Sequence, residues 1–245
     1  MSLYGDLAKV YEAMYQTFIN YKEEYIFYSD ILKKYKKNNL LEIGSGTGHL
    51  AEYFTANDFE YTGLDLSEEM IEIAQLKMPQ GKFLKGDMRQ FKLEKQVESV
   101  LITGRTISYL VKNSDVNATF ESINQNLNTG GIVCFDFIDA REFIPFIGKG
   151  QPITHEAAFD GMEYLRKSHW SLVLENGMDF KWESTYFKKT DNKWIELGQD
   201  NSIVRTFTIN ELEIFLELNQ FKVKEIIAKK AYAFPTYVIV AEKIN

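Results

Sequence analysis

The sequence predicts an α/β fold of the doubly wound class, and the stretch between Leu40 and Asp65 carries most of this prediction. A short apolar run, 40–43, leads into a glycine-rich turn, and the residues after the turn have helical spacing. A second apolar run then ends in an acid at Asp65. This strand–turn–helix–strand order is the first half of a doubly wound sheet, in which ligands bind at the carboxyl ends of the strands.

Length and composition narrow the range of functions. The chain has 245 residues, enough for one domain with an insertion or for two small domains. Its formal net charge of −7 disfavours nucleic acid as a partner. No apolar run is long enough for a membrane span, and the N-terminus lacks a secretory signal, so we expect a cytoplasmic protein. The histidines and the single cysteine are too scattered to predict a metal site.

The spacing of the turn glycines indicates which ligand the turn binds. Gly44, Gly46 and Gly48 allow a tight bend and a close approach of the ligand, but the third glycine comes one position too early for the dinucleotide pattern G-x-G-x-x-G. Glu42, just before the first glycine, would repel a pyrophosphate and suits a cationic ligand. A nicotinamide-dependent oxidoreductase is therefore a disfavoured alternative.

Two short motifs together resemble those of the class I S-adenosylmethionine-dependent methyltransferases. They are E-I-G-S-G-T-G at 42–48 and L-D-L-S at 64–67. The resemblance implies that the turn binds S-adenosylmethionine, with S-adenosylhomocysteine as the product, and that Asp65 binds the ribose hydroxyls. The cofactor-binding residues implied by this resemblance are Glu42, Gly44, Ser45, Gly46, Gly48, Asp65, Leu66, Met70, Asp87, Met88 and Gly104.

Further motifs extend the resemblance along the chain. A Gly-Asp pair after the third predicted strand resembles a family motif in which the acid accepts a hydrogen bond from the adenine amine. This implies that role for Asp87 and ring recognition by the backbone amide of Met88, with a surface turn as the alternative. Met70 lies either near the adenine or in the core. The segment 103–110 resembles the family segment between cofactor and acceptor, where Arg105 either binds an anionic acceptor or pairs with a surface acid.

The N-terminal segment has apolar and aromatic residues at three- and four-residue steps, which predicts a helix. Its Tyr4, Ala8 and Tyr11 match a Tyr-x-x-x-Ala-x-x-Tyr element that closes over the cofactor in many small-molecule methyltransferases. Glu12 stands where the family often has Asp. The segment is therefore either a helical lid whose Tyr11 contacts the acceptor, or simple core packing.

The sequence pattern changes after residue 139. Alternating, aromatic-rich runs predict an antiparallel β meander, and they span 164–174, 178–188 and 194–207. The resemblance implies a seven-stranded Rossmann-like methyltransferase sheet with an antiparallel last strand, formed by 1–139 and 207–245. Residues 140–206 are then an inserted β-rich acceptor-binding subdomain. The insert is similar to those of amino-sugar N,N-dimethyltransferases and glycine N-methyltransferase.

The resemblance implies an enzyme that methylates a small-molecule acceptor, with an amine nitrogen favoured because a neutral amine needs no general base. A hydroxyl acceptor would need a base, and His169 is the candidate unless it faces solvent. The predicted catalytic residues are Tyr11, Arg105 and His169, and Asp136 and Asp139 are candidates for the border of the acceptor site. The alternative is a non-catalytic S-adenosylmethionine-binding regulatory module. We expect no nucleic acid, membrane or metal partner, with a homodimer as one option for assembly.

Overall fold

The computed structural model describes residues 7–147, 153–173, 177–230 and 236–244, so Tyr4 of the proposed lid element lies outside the described residues. The helices are α1 Ala8–Tyr15, α2 Tyr21–Lys34, α3 His49–Ala56, α4 Glu68–Lys77, α5 Asn113–Asn126, α6 Ala140–Ile147 and α7 Ile209–Leu218. The strands are β1 Asn39–Ile43, β2 Glu60–Asp65, β3 Phe83–Lys85, β4 Val97–Ile102, β5 Leu127–Ile138, β6 Ile153–Phe159, β7 Met162–Val173, β8 Asp179–Thr190, β9 Lys193–Arg205, β10 Phe221–Lys229 and β11 Thr236–Lys243.

Seven strands form one large sheet in the order β10-β11-β5-β4-β1-β2-β3. Strand β11 runs antiparallel to both of its neighbours, and the other described pairs are parallel. Strands β4 and β5 are apolar over most of their length and almost fully buried, as strands covered on both faces must be. The predicted α/β fold, with seven strands and the last one antiparallel, is confirmed. Chain order reverses at β1, between β4 and β2, where such sheets open a ligand crevice.

The helices beside this crevice begin at side-chain caps. The Ser67 hydroxyl accepts a hydrogen bond from the amide of Met70 at 3.1 Å, so α4 begins three residues after Asp65, the last residue of β2. The Asn20 side chain caps α2 in the same way. These caps fix where α2 and α4 lie relative to the strand ends.

None of the helices in the described ranges combines the length and the apolar character that a membrane crossing needs.

A second sheet, here called the small sheet, contains β6, β7, β8 and β9 in antiparallel order. The sequence predicted three of these strands and missed β6, because only Ala157 of its seven residues is buried and the alternation is weak. The β8–β9 hairpin turns at Asp191 and Asn192, which both have positive φ, as a type I′ turn requires. Asp139 and Phe207, at the two ends of the predicted insert, form a parallel bridge with each other.

Helix α1 packs against the small sheet. Leu7, Met14 and Tyr15 form an apolar cluster with Ala157 of β6 and Tyr186 of β8. Elsewhere on the small sheet, the rings of Trp170 and Trp182 lie 6.0 Å apart and join a cluster with Phe143 and Phe180. These tryptophans therefore serve sheet packing, and α1 connects the small sheet to the rest of the molecule.

Candidate active site

A cavity of about 710 Å³ lies at the carboxyl ends of the strands of the large sheet. Its walls also contain residues of α1, α2 and β9, so the small sheet closes one side. The ends of β1, β2 and β4 contribute Ile43, Asp65 and Thr103, whereas Asp136 of β5 and Lys229 of β10 lie toward the opposite edge of the sheet. The strand order thus divides the cavity into two halves. The half at the ends of β1, β2 and β4 is here called the cofactor half, and the half at the ends of β5 and β10 is called the acceptor half.

Most of the residues predicted to bind the cofactor line this cavity. They are Glu42, Gly44, Ser45, Gly46, Asp65, Leu66, Met70, Asp87, Met88 and Gly104. Gly48 is the exception, because it does not line the cavity. A Cβ at Gly48 would lie 3.1 Å from the Cβ of Ala74 and from the Phe83 ring, and its φ is +80°. The third glycine is therefore required by helix packing and by the left-handed backbone at the start of α3.

The glycine loop leaves open space for a ligand at Gly46. A Cβ on this residue, whose φ is +53°, would meet no protein atom within 4 Å, and Gly46 lines the cavity. The amide of Gly46 donates to Asp65 Oδ2 at 2.8 Å, and the amide of Ser67 donates to Oδ1 at 2.9 Å. Burial raises the pKa of Asp65 despite these amide hydrogen bonds. The Asp65 carboxylate is therefore rigidly oriented at the mouth of the loop.

Glu42 is a carboxyl group that is 2% exposed at the floor of the cavity. The hydroxyl of Tyr61 donates to its Oε2 at 2.5 Å, and the hydroxyl of Thr103 donates to its Oε1 at 2.9 Å. Burial raises the pKa of Glu42 to about 7, although both hydroxyl hydrogen bonds favour the charged form. A nearby cation would stabilise the ionised form of this carboxyl group. This agrees with the prediction that Glu42 suits a cationic ligand.

Asp87 lines the same half of the cavity, and Arg89 holds it in place. The Arg89 guanidinium contacts both carboxylate oxygens of Asp87, with Nη2 at 2.5 Å from Oδ2. The hydrogen bonds from Arg89 lower the pKa of Asp87, so this carboxylate is ionised at neutral pH. Arg89 also reaches Asp115 at 3.3 Å, which anchors it to the first turn of α5. The adenine role of Asp87 stays a prediction.

The acceptor half contains a buried ionic group that the sequence did not predict as a unit. Lys229 Nζ lies 2.5 Å from Glu24 Oε2, 3.1 Å from the hydroxyl of Tyr28 and 3.5 Å from Asp136 Oδ2. The Tyr28 hydroxyl donates to Asp136 at 3.0 Å, and the amide of Arg105 donates to the same carboxylate at 2.6 Å. Lys229 was missed because its place at the cavity follows from the strand order, which puts the ends of β10 and β5 at the same edge of the sheet with β11 between them.

Comparison with known proteins relates the chain to methyltransferases. Residues 40–131 match the family described as "Methyltransferase domain". YqeM of Bacillus subtilis (strain 168), provisionally named a methyltransferase, is 28% identical over 204 residues, which are 79% of this chain and 77% of that protein. Residues 40–131 therefore form a methyltransferase domain, and the chain is an S-adenosylmethionine-dependent methyltransferase. Its cofactor is S-adenosylmethionine, which the open side of Gly46 and the buried Glu42 carboxyl fit.

Two further relatives of this methyltransferase are informative. The dTDP-3-amino-3,4,6-trideoxy-alpha-D-glucopyranose N,N-dimethyltransferase of Streptomyces venezuelae is 30% identical over 132 residues, which span 54% of this chain and 54% of that protein. The match therefore covers about half the length of that relative. The structure of S-adenosylmethionine-bound CalS10, an amino pentose methyltransferase from Micromonospora echinaspora, superposes with a TM-score of 0.78 at 20% identity over 96% of each chain. This likeness establishes the shared fold.

The three residues predicted to be catalytic in the methyltransferase have different positions. Tyr11 lines the cavity, with its ring stacked on Tyr15 at 4.0 Å. Arg105 also lines the cavity and is only 6% exposed, and its role toward the acceptor stays a prediction. His169 is exposed on β7 opposite Glu183 and does not line the cavity, so the solvent-facing alternative is the one that the structure supports.

The face of β7 explains the position of His169. Ser168 is buried and Trp170 half-buried, and both point toward the core, so the residue between them points outward. Asp139 is likewise absent from the cavity lining. It is fully buried and accepts hydrogen bonds from the amides of Arg141 and Glu142 at the start of α6, which makes it a helix cap.

Neither a metal cluster nor a reactive thiol is found among the described residues of the methyltransferase. Among the residues that the structure describes, no group of three or more His, Cys, Asp or Glu side chains is placed to hold a metal ion. Cys134 is fully buried in β5, and burial raises the pKa of its thiol. A buried thiol of this kind is an inert part of the core.

Proposed function

We propose that the methyltransferase transfers the methyl group to an amine nitrogen of a small molecule. The observation that carries this proposal is the charge of the cavity wall. The acids among its described lining residues are Glu24, Glu42, Asp65, Glu69, Asp87, Asp136 and Asp200. The cationic side chains among them are Arg105 and Lys229. Such a wall attracts cations and repels anionic acceptors.

The direction in which charge moves during the reaction favours nitrogen over oxygen. The bound cofactor supplies an electrophilic methyl group on a positively charged sulfur. An amine nitrogen attacks with its lone pair as the carbon–sulfur bond breaks, so the nitrogen becomes positive and afterwards releases a proton. Glu24 and Asp136 in the acceptor half would stabilise this developing positive charge. The same carboxylates would oppose the loss of a proton from a hydroxyl acceptor, because that step creates negative charge.

The lining residues also offer little for activating a hydroxyl. His49 is the histidine among the described residues of the cavity wall, and its Nε2 lies 3.0 Å from Glu12 Oε1, in contact with the α1 carboxylate. An amine acceptor needs only to be in its neutral form when it reacts, so no dedicated base is required. The names of two relatives agree with this proposal, since one is an amino-sugar N,N-dimethyltransferase and another an amino pentose methyltransferase.

Paired acceptors test the proposal. The purified protein is incubated with methyl-labelled S-adenosylmethionine and a panel of small amines, each matched with the alcohol of the same skeleton. We expect label on nitrogen for at least one amine and none on the matched alcohol. Glu24→Gln should lower this turnover, whereas the control Glu23→Gln, an exposed neighbour on α2, should not. Label on oxygen alone, or transfer to none of the amines by a protein that binds S-adenosylhomocysteine, would contradict the proposal.

A further inference from the structure

One carboxylate on α1 joins three parts of the cofactor half. Glu12 Oε2 accepts a hydrogen bond from the hydroxyl of Thr47 at 2.5 Å and lies 3.1 Å from Nε2 of His49. Its Oε1 lies 2.5 Å from Nζ of Lys77. Thr47 belongs to the glycine loop, His49 is the first residue of α3, and Lys77 is the last residue of α4. We propose that Glu12 is a positioning residue that fixes α1, and with it Tyr11, against the cofactor loop.

Two of the three partners of Glu12 belong to the wall of the cavity. Thr47 and His49 both line it, and the ring of Tyr21, another lining residue, stacks on His49 at 4.1 Å. Tyr11 precedes Glu12 in α1 and also lines the cavity. A movement of Glu12 would therefore displace Tyr11, the loop residue Thr47 and the His49–Tyr21 pair together.

Helix α1 depends on such contacts for its position. It contains eight residues and has no side-chain hydrogen bond at its N-cap, and an isolated helix of this length is not stable in water. Its apolar face packs on the small sheet through the cluster around Leu7, Met14 and Tyr15. Glu12 provides its polar attachment to the large sheet. Helix α1 thus links the small sheet to the glycine loop, and Glu12 makes the attachment to the loop.

The charge state of Glu12 suits this role. Burial opposes its ionisation, but the hydrogen bonds from His49, Lys77 and Thr47 outweigh burial and lower its pKa to about 2. The group is therefore an anion throughout the neutral range. Its length matters as well, since an Asp at this position is one methylene shorter and would reach fewer of the partners on three separate elements.

The test uses S-adenosylhomocysteine as the probe, so it does not depend on which acceptor is methylated. Affinity is measured by titration calorimetry for the wild-type protein, Glu12→Ala, Glu12→Asp and Glu12→Gln. We expect Glu12→Ala to weaken binding by about tenfold, with Glu12→Asp and Glu12→Gln in between. The control Glu52→Gln, an exposed acid on α3 outside the cavity, should bind like the wild type.

Trypsin cleavage after Lys9 reports on α1 directly, because Lys9 is exposed on that helix. In the wild type, S-adenosylhomocysteine should slow this cleavage by several-fold. In Glu12→Ala this protection should be lost at saturating ligand. Adding Lys77→Met to Glu12→Ala should change the cleavage rate little further, because the two residues form one contact. Unchanged affinity and unchanged protection in a variant whose melting temperature has fallen would overturn the proposal, since Glu12 would then serve stability alone.

Discussion

The hydroxyl of Tyr61 lies 2.5 Å from Oε2 of Glu42, and both side chains are almost excluded from solvent. This contact holds a carboxyl group beneath the cavity where water cannot solvate its charge. Burial raises the pKa of Glu42 to about 7, and burial beside Glu42 raises the pKa of Tyr61 as well. Glu42 therefore makes the stability of the protein without its cofactor depend on pH between about 4.5 and 7.

The first prediction concerns this sensitivity. The folded protein retains the Glu42 proton up to about pH 7, whereas the unfolded chain releases it near 4.5. Between these values the folded state binds more protons, so rising pH lowers the free energy of unfolding, by at most about 1.4 kcal/mol per pH unit for one group. Urea denaturation from pH 4.5 to 7 should show a shallower decline for Glu42→Gln than for the wild type. Equal slopes in the two proteins would rule out Glu42 as the cause.

The second prediction concerns Asp65. Asp65→Ala removes the carboxylate that the amides of Gly46 and Ser67 orient. A charge-assisted hydrogen bond contributes about 1.5–3 kcal/mol, so affinity for S-adenosylhomocysteine should fall by about tenfold or more. Asp65→Asn should lose less, because one acceptor oxygen remains. Calorimetric titration measures both, with Asp58→Asn in the exposed loop after α3 as the control. A Kd for Asp65→Ala equal to that of the wild type would remove Asp65 from the cofactor site.

The third prediction uses two glycines with similar backbone strain. Gly46 and Gly130 both have positive φ and no protein atom within 4 Å of an added Cβ, but only Gly46 lines the cavity. Gly46→Val should abolish cofactor binding, because its side chain would occupy ligand space. Gly130→Val should bind normally despite the same type of strain. Circular dichroism checks that both are folded, and normal binding by Gly46→Val would show that the loop does not enclose the ligand.

The fourth prediction concerns Tyr11. Tyr11→Phe keeps the ring that stacks on Tyr15 and removes the hydroxyl at the cavity. We expect turnover to fall far more than cofactor affinity, because the nucleotide contacts stay intact. Methyl transfer and titration are measured side by side, with Tyr53→Phe, whose ring stacks on Tyr25 outside the cavity, as the control. Intact turnover in Tyr11→Phe would leave α1 with a packing role only.

The fifth prediction assigns acceptor choice to the insert. Asp200, Asn201 and Ser202 of β9 bring the small sheet into the cavity wall. Exchanging residues 150–205 for the insert of a relative should therefore change which amine is methylated, with little change in cofactor affinity. The measurement is transfer to an acceptor panel beside calorimetric titration. An unchanged acceptor preference would place specificity in α1, α2 and the large sheet.

The cofactor half could be predicted from the sequence because its chemistry is local. The acid, the glycines and the strand ends between Glu42 and Asp65 lie within one strand–turn–helix–strand unit, so their spacing predicts their geometry. Gly48 shows the limit, since a ligand and the Phe83 ring both require a glycine and the sequence does not distinguish them. Its role as a cofactor contact stays a prediction.

The acceptor half could not be predicted in the same way, because its residues come from distant parts of the chain. Glu24, Asp136 and Lys229 meet only after α2, β5 and β10 are assembled, and β11 follows β10 in sequence yet lies between β10 and β5. Lys229 carries no motif that marks it beforehand. The face that His169 takes could not be decided from the sequence for a related reason, since a shift of one residue along β7 moves a side chain to the other face.

The bridge between Asp139 and Phe207 has a consequence for how the chain reaches its native state. Strands β10 and β11 are far from β5 in sequence, and pairing across such a separation is slow because closing the long loop costs entropy. The small sheet consists of hairpins that form between neighbouring segments, and their closure brings the two ends of the insert together. We therefore expect refolding to wait for these hairpins. A substitution that weakens the β7–β8 pairing would then delay completion of the large sheet even though it touches none of its strands.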